Sequence, residues 1–154
     1  MSTSDEALNR YVTAKGYKEA AKHVFVSPHL DTEERRTSVI LPLNMLTGFA
    51  LELYFKSWLL AAGRPSDKVR GFGHKVGSLF NEVLSEGMPA ISQLDEVVNA
   101  LASGHEDFTF RYLESGDQIN LINWEPAFQA LDQLDAAVDA KIGASAAKGL
   151  SPGH

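Results

Sequence analysis

The feature that most constrains this chain is the stretch Leu41 to Ala62, LPLNMLTGFALELYFKSWLLAA, apolar almost all the way round a helical wheel yet carrying Asn44, Glu52 and Lys56 along one i, i+4 line. At the rise of an α-helix it extends roughly 30 Å, the width of a small domain or of a bilayer's hydrocarbon core. Charges at mid-membrane cost several kcal/mol, and the chain has no second apolar span, so a bilayer helix is disfavoured. The stretch reads instead as the central helix of a helical bundle, with Glu52 and Lys56 one turn apart and able to pair on one face.

A chain of 154 residues with 44% apolar content can bury one core without disulfides or metal. Its formal charge of -6 argues against a general nucleic-acid coat or an anionic-membrane binder, while leaving room for a local basic patch. The absence of cysteine removes disulfides, thiolate zinc sites and a thiol nucleophile, and fits a reducing compartment. The start, MSTSDEALNR, has neither the basic nor the apolar region of a secretory signal, so a cytoplasmic location is expected.

Gly and Pro fall between runs of helical period, and five helices can be drawn. The first starts at a capping-box pattern, Thr3 with Glu6, carries Leu8, Tyr11, Ala14, Tyr17, Ala21 and Val24, and stops at Ser27-Pro28. A charged connection, Asp31 to Arg36, leads to the central helix, placed from about Pro42 to the stop at Gly63 and Pro65. A third runs from His74 to Glu86 with Gly87 as left-handed cap, and a fourth from about Pro89 to Ala102, followed by Gly104. Phe108, Phe110 and Tyr112 then alternate with Thr109, Arg111 and Leu113 as an extended segment would, which predicts a structured loop or short hairpin. Asn123 can cap a last helix that has Pro126 in its first turn and Phe128, Leu131, Leu134, Val138 and Ile142 facing inward. The expected fold is all-α, an up-and-down bundle of four or five helices over residues 1–142, with 143–154 as a flexible tail.

Common catalytic motifs are missing: no phosphate-cradling Gly-x4-Gly-Lys-Ser/Thr loop, no Gly-x-Ser-x-Gly elbow, no His-Glu-x-x-His and no EF-hand. The nearest approach to a di-iron pattern is Glu19 with His23 on one helix, so neither metal nor cofactor is expected. His105-Glu106-Asp107 reads as a solvated turn, because three adjacent residues seldom converge on one point. Glu33-Glu34-Arg35-Arg36 reads as a solvated face, and His23, His29 and His154 attract no role.

Two positions have chemical promise. His74 precedes an apolar-faced helix, where it can act as a structural cap or as a base beside the positive end of the dipole. Arg111-Tyr112 lies among phenylalanines, a setting that suits phosphate or base stacking. The structural alternative has Phe108 and Phe110 stapling the loop while Arg111 pairs with an acid such as Glu52.

The segment Ala50 to Leu84 resembles the HEPN superfamily of small helical domains, through Ala-Leu-Glu-Leu-x-x-Lys at Ala50 to Lys56 and Gly-His-x-x-x-x-Leu at Gly73 to Leu79. Phe110-Arg111-Tyr112 resembles the Arg-Tyr element found before the last long helix in part of that superfamily, while Lys75-Val76 stands where Asp-Leu is usual. The resemblance implies a bundle that forms homodimers with a groove between protomers, found in ribonucleases of toxin-antitoxin and anti-phage systems. Those enzymes carry Arg, four to six residues, then His. Here no histidine follows Arg111 until His154, and Arg70 and His74 have only three residues between them.

Without that pair, the expectation is a non-catalytic or degenerate module whose groove, lined by Glu52, Lys56, His74, Arg111 and Tyr112, takes a nucleotide, RNA or a protein partner such as a cognate antitoxin or nucleotidyltransferase. One alternative is a metal-independent endoribonuclease with His74 as base and Arg111 as transition-state cation. Another is a purely structural interaction subunit.

Overall fold

The computed structural model describes residues 2–28, 32–112 and 114–154. Among them the chain is helical, without strands: α1 Thr3–Phe25, α2 Glu33–Ser38, α3 Ile40–Ala61, α4 Ser66–Gly71, α5 Val76–Ser85, α6 Leu94–Glu106 and α7 Trp124–Ile142, with a closing 3-10 turn at Ala146–Lys148. The expected all-α bundle is what forms, and α3 is its hub, touching α1, α5, α6 and α7 along its length. Leu51, Tyr54, Phe55 and Leu59 of α3 are fully buried. No helix of the described residues is long and apolar enough to cross a membrane.

Several helix boundaries have a local cause. Ser2, not Thr3, caps α1: its hydroxyl accepts from the Asp5 amide and the Asp5 carboxylate bonds back to the Ser2 amide, one residue ahead of the expected capping box. Pro42 and Pro126 both sit in first turns, where no amide proton is needed. Asn123 holds the N-cap position of α7 but its side chain makes no capping bond. The charged connection contains α2, and the turn after α3 contains α4, two short helices that carry too few residues to show a period. Asp31, His29 and Leu113 lie outside the described residues.

The inner face of α1 is the expected one at Tyr11, Ala14 and Ala21, with Tyr17 and Val24 partly buried against the core, and departs from it at Leu8. Ala7, Ala14 and Ala21 recur every seven residues and are buried with Tyr11 and Lys18, while Leu8 is partly exposed. Small side chains at that spacing let α1 lie close along α3, near enough for Ser57 Oγ to donate to the Ala7 carbonyl at 2.7 Å.

A polar seam ties α1, α3 and α7 together. Buried Lys18 donates to Asp135 at 3.2 Å and to Asp132 at 2.9 Å, and Tyr54 Oη donates to the other Asp135 oxygen at 2.9 Å. Burial pushes the Lys18 ammonium toward losing its proton, but its bonds to Asp132 and the charge of Asp135 outweigh this and raise its pKa. The segment after Gly143, expected to be a flexible tail, folds back onto Asp139, whose carboxylate accepts from the Ser145 amide, the Ser145 hydroxyl and the Gly153 amide.

Two departures place the candidate site residues. Helix α6 starts at Leu94 rather than Pro89 and runs through Gly104 to Glu106, so Gly104 is not a stop. The segment expected to be extended is a turn at Phe108–Tyr112, with the Arg111 and Tyr112 amides both donating to the Phe108 carbonyl and Phe108 in the left-handed region. Residues 118–123 carry no helix or turn before α7 begins.

Candidate functional site

Glu52 lies in the middle of α3, and three donors from three parts of the chain converge on its buried carboxylate. Lys56, one turn on, donates to Oε1 at 2.6 Å. His74, from the turn between α4 and α5, meets Oε2 through Nδ1 at 2.9 Å, and His105, from the last turn of α6, meets the same oxygen through Nε2 at 2.7 Å. Lys56 also donates to the Gly73 carbonyl at 2.7 Å, which anchors the turn that carries His74.

Burial alone would raise the Glu52 pKa, but the bonds from His105, Lys56 and His74 and the charge of Lys56 overcome it and hold the carboxyl at about 2. An ionised Glu52 only accepts, so the bonded nitrogens, Nδ1 of His74 and Nε2 of His105, each carry a proton. His105 is buried, whereas the His74 side chain is 42% exposed and its Nε2 has no hydrogen-bond partner among the described residues. His74 does not cap α5, whose N-cap residue is Lys75 with no side-chain capping bond.

An aromatic wall adjoins the carboxylate. Phe49, one turn before Glu52, makes edge contacts with His105 at 5.0 Å and His74 at 6.4 Å between centroids, and Phe108 packs on His74 at 5.3 Å. The Arg111 guanidinium rests on both phenylalanines, 5.1 Å from the Phe49 centroid and 4.7 Å from that of Phe108. Among the described residues it makes no ion pair with Glu52, whose partners are Lys56, His74 and His105. Phe108 therefore supports Arg111, and Phe110 is the residue that plugs the core. Tyr112 is 74% exposed, and its side chain has no hydrogen bond or ring contact with this cluster among the described residues.

Of the five residues expected to line one groove, Lys56 and His74 both bond to Glu52, Arg111 adjoins His74 through the shared rings of Phe49 and Phe108, and the Tyr112 side chain stands apart. His105, expected in a solvated turn, is the residue that the sequence reading missed. The glycine at position 48 admits it. A Cβ on Gly48 would lie 2.5 Å from His105 Nδ1, and one on Gly104 would fall on the Phe110 ring. Alanine at position 48 would gain helix propensity worth about 1 kcal/mol, yet must displace an imidazole held on its other side by Glu52. Gly48→Ala is accordingly expected to destabilise by about 1–3 kcal/mol in denaturant unfolding; a neutral or stabilising result would mean that His105 is not fixed.

Glu52, His74 and His105 present ligand atoms within 4.8 Å of one another, so they form a set able to hold a divalent ion. The Lys56 ammonium on the same carboxylate opposes a second cation there, and both bonded imidazole nitrogens would first have to lose their protons. What the arrangement offers as it stands is an oriented imidazole open to solvent next to a guanidinium on an aromatic platform, with the acid that orients it shielded below. Comparison of the chain with protein-family models, with curated proteins and with solved structures finds no match.

Proposed function

We propose that the His74–Arg111 face binds RNA or a nucleotide through phosphate, in a HEPN-like helical domain that does not depend on catalysis. The observation that carries this reading is the position of Arg111, one face of its guanidinium on Phe49 and Phe108 and the residue itself exposed. A guanidinium so supported is pre-organised to receive a phosphate at its edge and a base on its open face.

The test is anisotropy of a labelled single-stranded RNA at low salt. Arg111→Ala should weaken binding about tenfold or more, in line with the loss of a charge-assisted contact, and added salt should weaken the wild type. Absence of binding at micromolar protein, or equal binding by the variant, would leave the purely structural subunit as the better account. A homodimer, and an antitoxin or nucleotidyltransferase as partner, belong to the same proposal; light scattering that gives a monomer mass at micromolar concentration counts against the dimer.

A second reading, metal-independent RNA cleavage, draws support from the Glu52–His74 pair. The carboxylate fixes the imidazole with Nε2 outward, as a general base requires, and Arg111 on the same rings can meet a pentacovalent phosphate. The histidine absent downstream of Arg111 has a counterpart upstream, since His105 precedes it by five intervening residues; being buried on Glu52, it is placed to position His74 rather than to touch RNA. Cleavage in the presence of EDTA that disappears in both His74→Ala and Arg111→Ala is the expected signature, and no cleavage by the wild type sets this reading aside.

A further inference from the structure

Between the end of α1, the start of α3 and the segment before α7 lies a cavity of about 610 Å³. Its walls are apolar, with Phe25, Val39, Leu43, Ile122 and Trp124 among them, and Glu33 is the one charged residue among the described ones that line it. Asn44 lines it too. That side chain is 1% exposed, and both its Nδ2 and its Oδ1 lack a hydrogen-bond partner among the described residues.

A buried carboxamide with neither atom paired is a costly thing to keep in an apolar wall, and leucine would fill the same volume without that penalty. The cavity's size is that of small-molecule sites, which combine apolar walls with a few placed polar groups. A carboxamide offers a donor and an acceptor side by side and is complementary to a planar edge offering the reverse, as in a cis-amide or an aminopurine. Among the described residues that line the cavity none is a cation, so these offer an anionic ligand no counter-charge, and the rings of Phe25 and Trp124 favour a flat one.

We infer that this cavity binds a neutral, largely apolar, planar small molecule whose amide-type edge pairs with Asn44. The site is separate from the Glu52 cluster and does not rest on the RNA reading.

The probe is 2-quinolinone, an uncharged flat ring system with adjacent N–H and C=O, measured by equilibrium dialysis through its own absorbance. Saturable one-site uptake is expected, weakened about tenfold in Asn44→Leu and similarly for 1-methyl-2-quinolinone, which lacks the donor. Asn44→Leu should melt at or above the wild-type temperature without ligand, because it removes an unpaired polar group, so weaker uptake would not come from misfolding. No saturable uptake, or equal uptake by wild type and Asn44→Leu, overturns the inference. So does a dimer in light scattering that excludes the probe, since a second copy would then occupy the cavity beside the exposed Val26 and Leu121.

Discussion

Glu52→Gln is expected to lower the unfolding free energy by about 3–5 kcal/mol at neutral pH, the usual cost of breaking a buried charge pair by removing one partner. The glutamine is isosteric, but its amide nitrogen must point at a donor, either Lys56 on one side or the two imidazoles on the other. The pH dependence separates this cause from generic packing damage. Glu52 is held at about 2 in the folded protein, against an ordinary value of 4.5. A depressed carboxyl contributes stability that is complete above its unfolded pKa and is lost as pH falls through the folded one. The wild-type advantage over Glu52→Gln should therefore be constant above about pH 5 and shrink as pH drops from there toward 2. Denaturant unfolding of both proteins at stepped pH measures it, and a gap that stays constant below pH 4.5 would show that the carboxylate is not held as described.

The second large effect lies at the other polar seam. Lys18→Met should cost about 3–5 kcal/mol, lowering the melting temperature by about 10 °C, because it strands Asp135 in the core. Asp135 is 1% exposed, and of its remaining contacts Tyr54 bonds one oxygen while the Lys15 ammonium stands 3.5 Å from the other. Removing the charge as well, in Lys18→Met with Asp135→Asn, should recover a substantial part of the loss, since a neutral amide does not need a buried counter-ion. Calorimetry of the two single variants and the double variant gives the coupling. Additive losses would mean that Lys18 stabilises through its aliphatic stem alone.

How much of this was legible depended on distance along the chain. The i, i+4 line of Glu52 and Lys56 in an otherwise apolar stretch is a short-range pattern, and it correctly marks α3 as the hub and its polar stripe as inward-facing. His74 follows the next turn and could be picked out by its place before α5. His105 could not. It is 53 residues from Glu52, and the glycine before it looks like a helix stop until the Phe110 ring is seen to occupy the space a side chain would need. Arg111 was singled out for its aromatic neighbours, yet one of its two supporting rings, Phe49, comes from α3, which no local pattern could tell.

The same limit explains the errors at Phe108–Tyr112 and along α1. An alternation of aromatic and polar residues is equally compatible with a strand and with a turn that buries one ring and exposes another; the positive φ at Phe108 decides for the turn. On α1, Tyr11, Ala14 and Ala21 face inward as their spacing predicts, whereas close approach of α1 and α3 takes Ala7 in place of Leu8, and Lys18 can lie among the alanines because α7 supplies its acids.

The docking of His105 of α6 against Gly48 of α3 has a consequence for the dynamics of the molecule. Because an imidazole from its last turn is one of three groups on a single carboxylate, any excursion that lifts this helix from α3 removes a ligand from Glu52 and loosens the hold on His74 in the same event. Amide exchange near the C-terminal end of α6 should then follow the same opening rate as the ring protons of both histidines, so that the competence of the face and the integrity of one helix are a single measurable quantity.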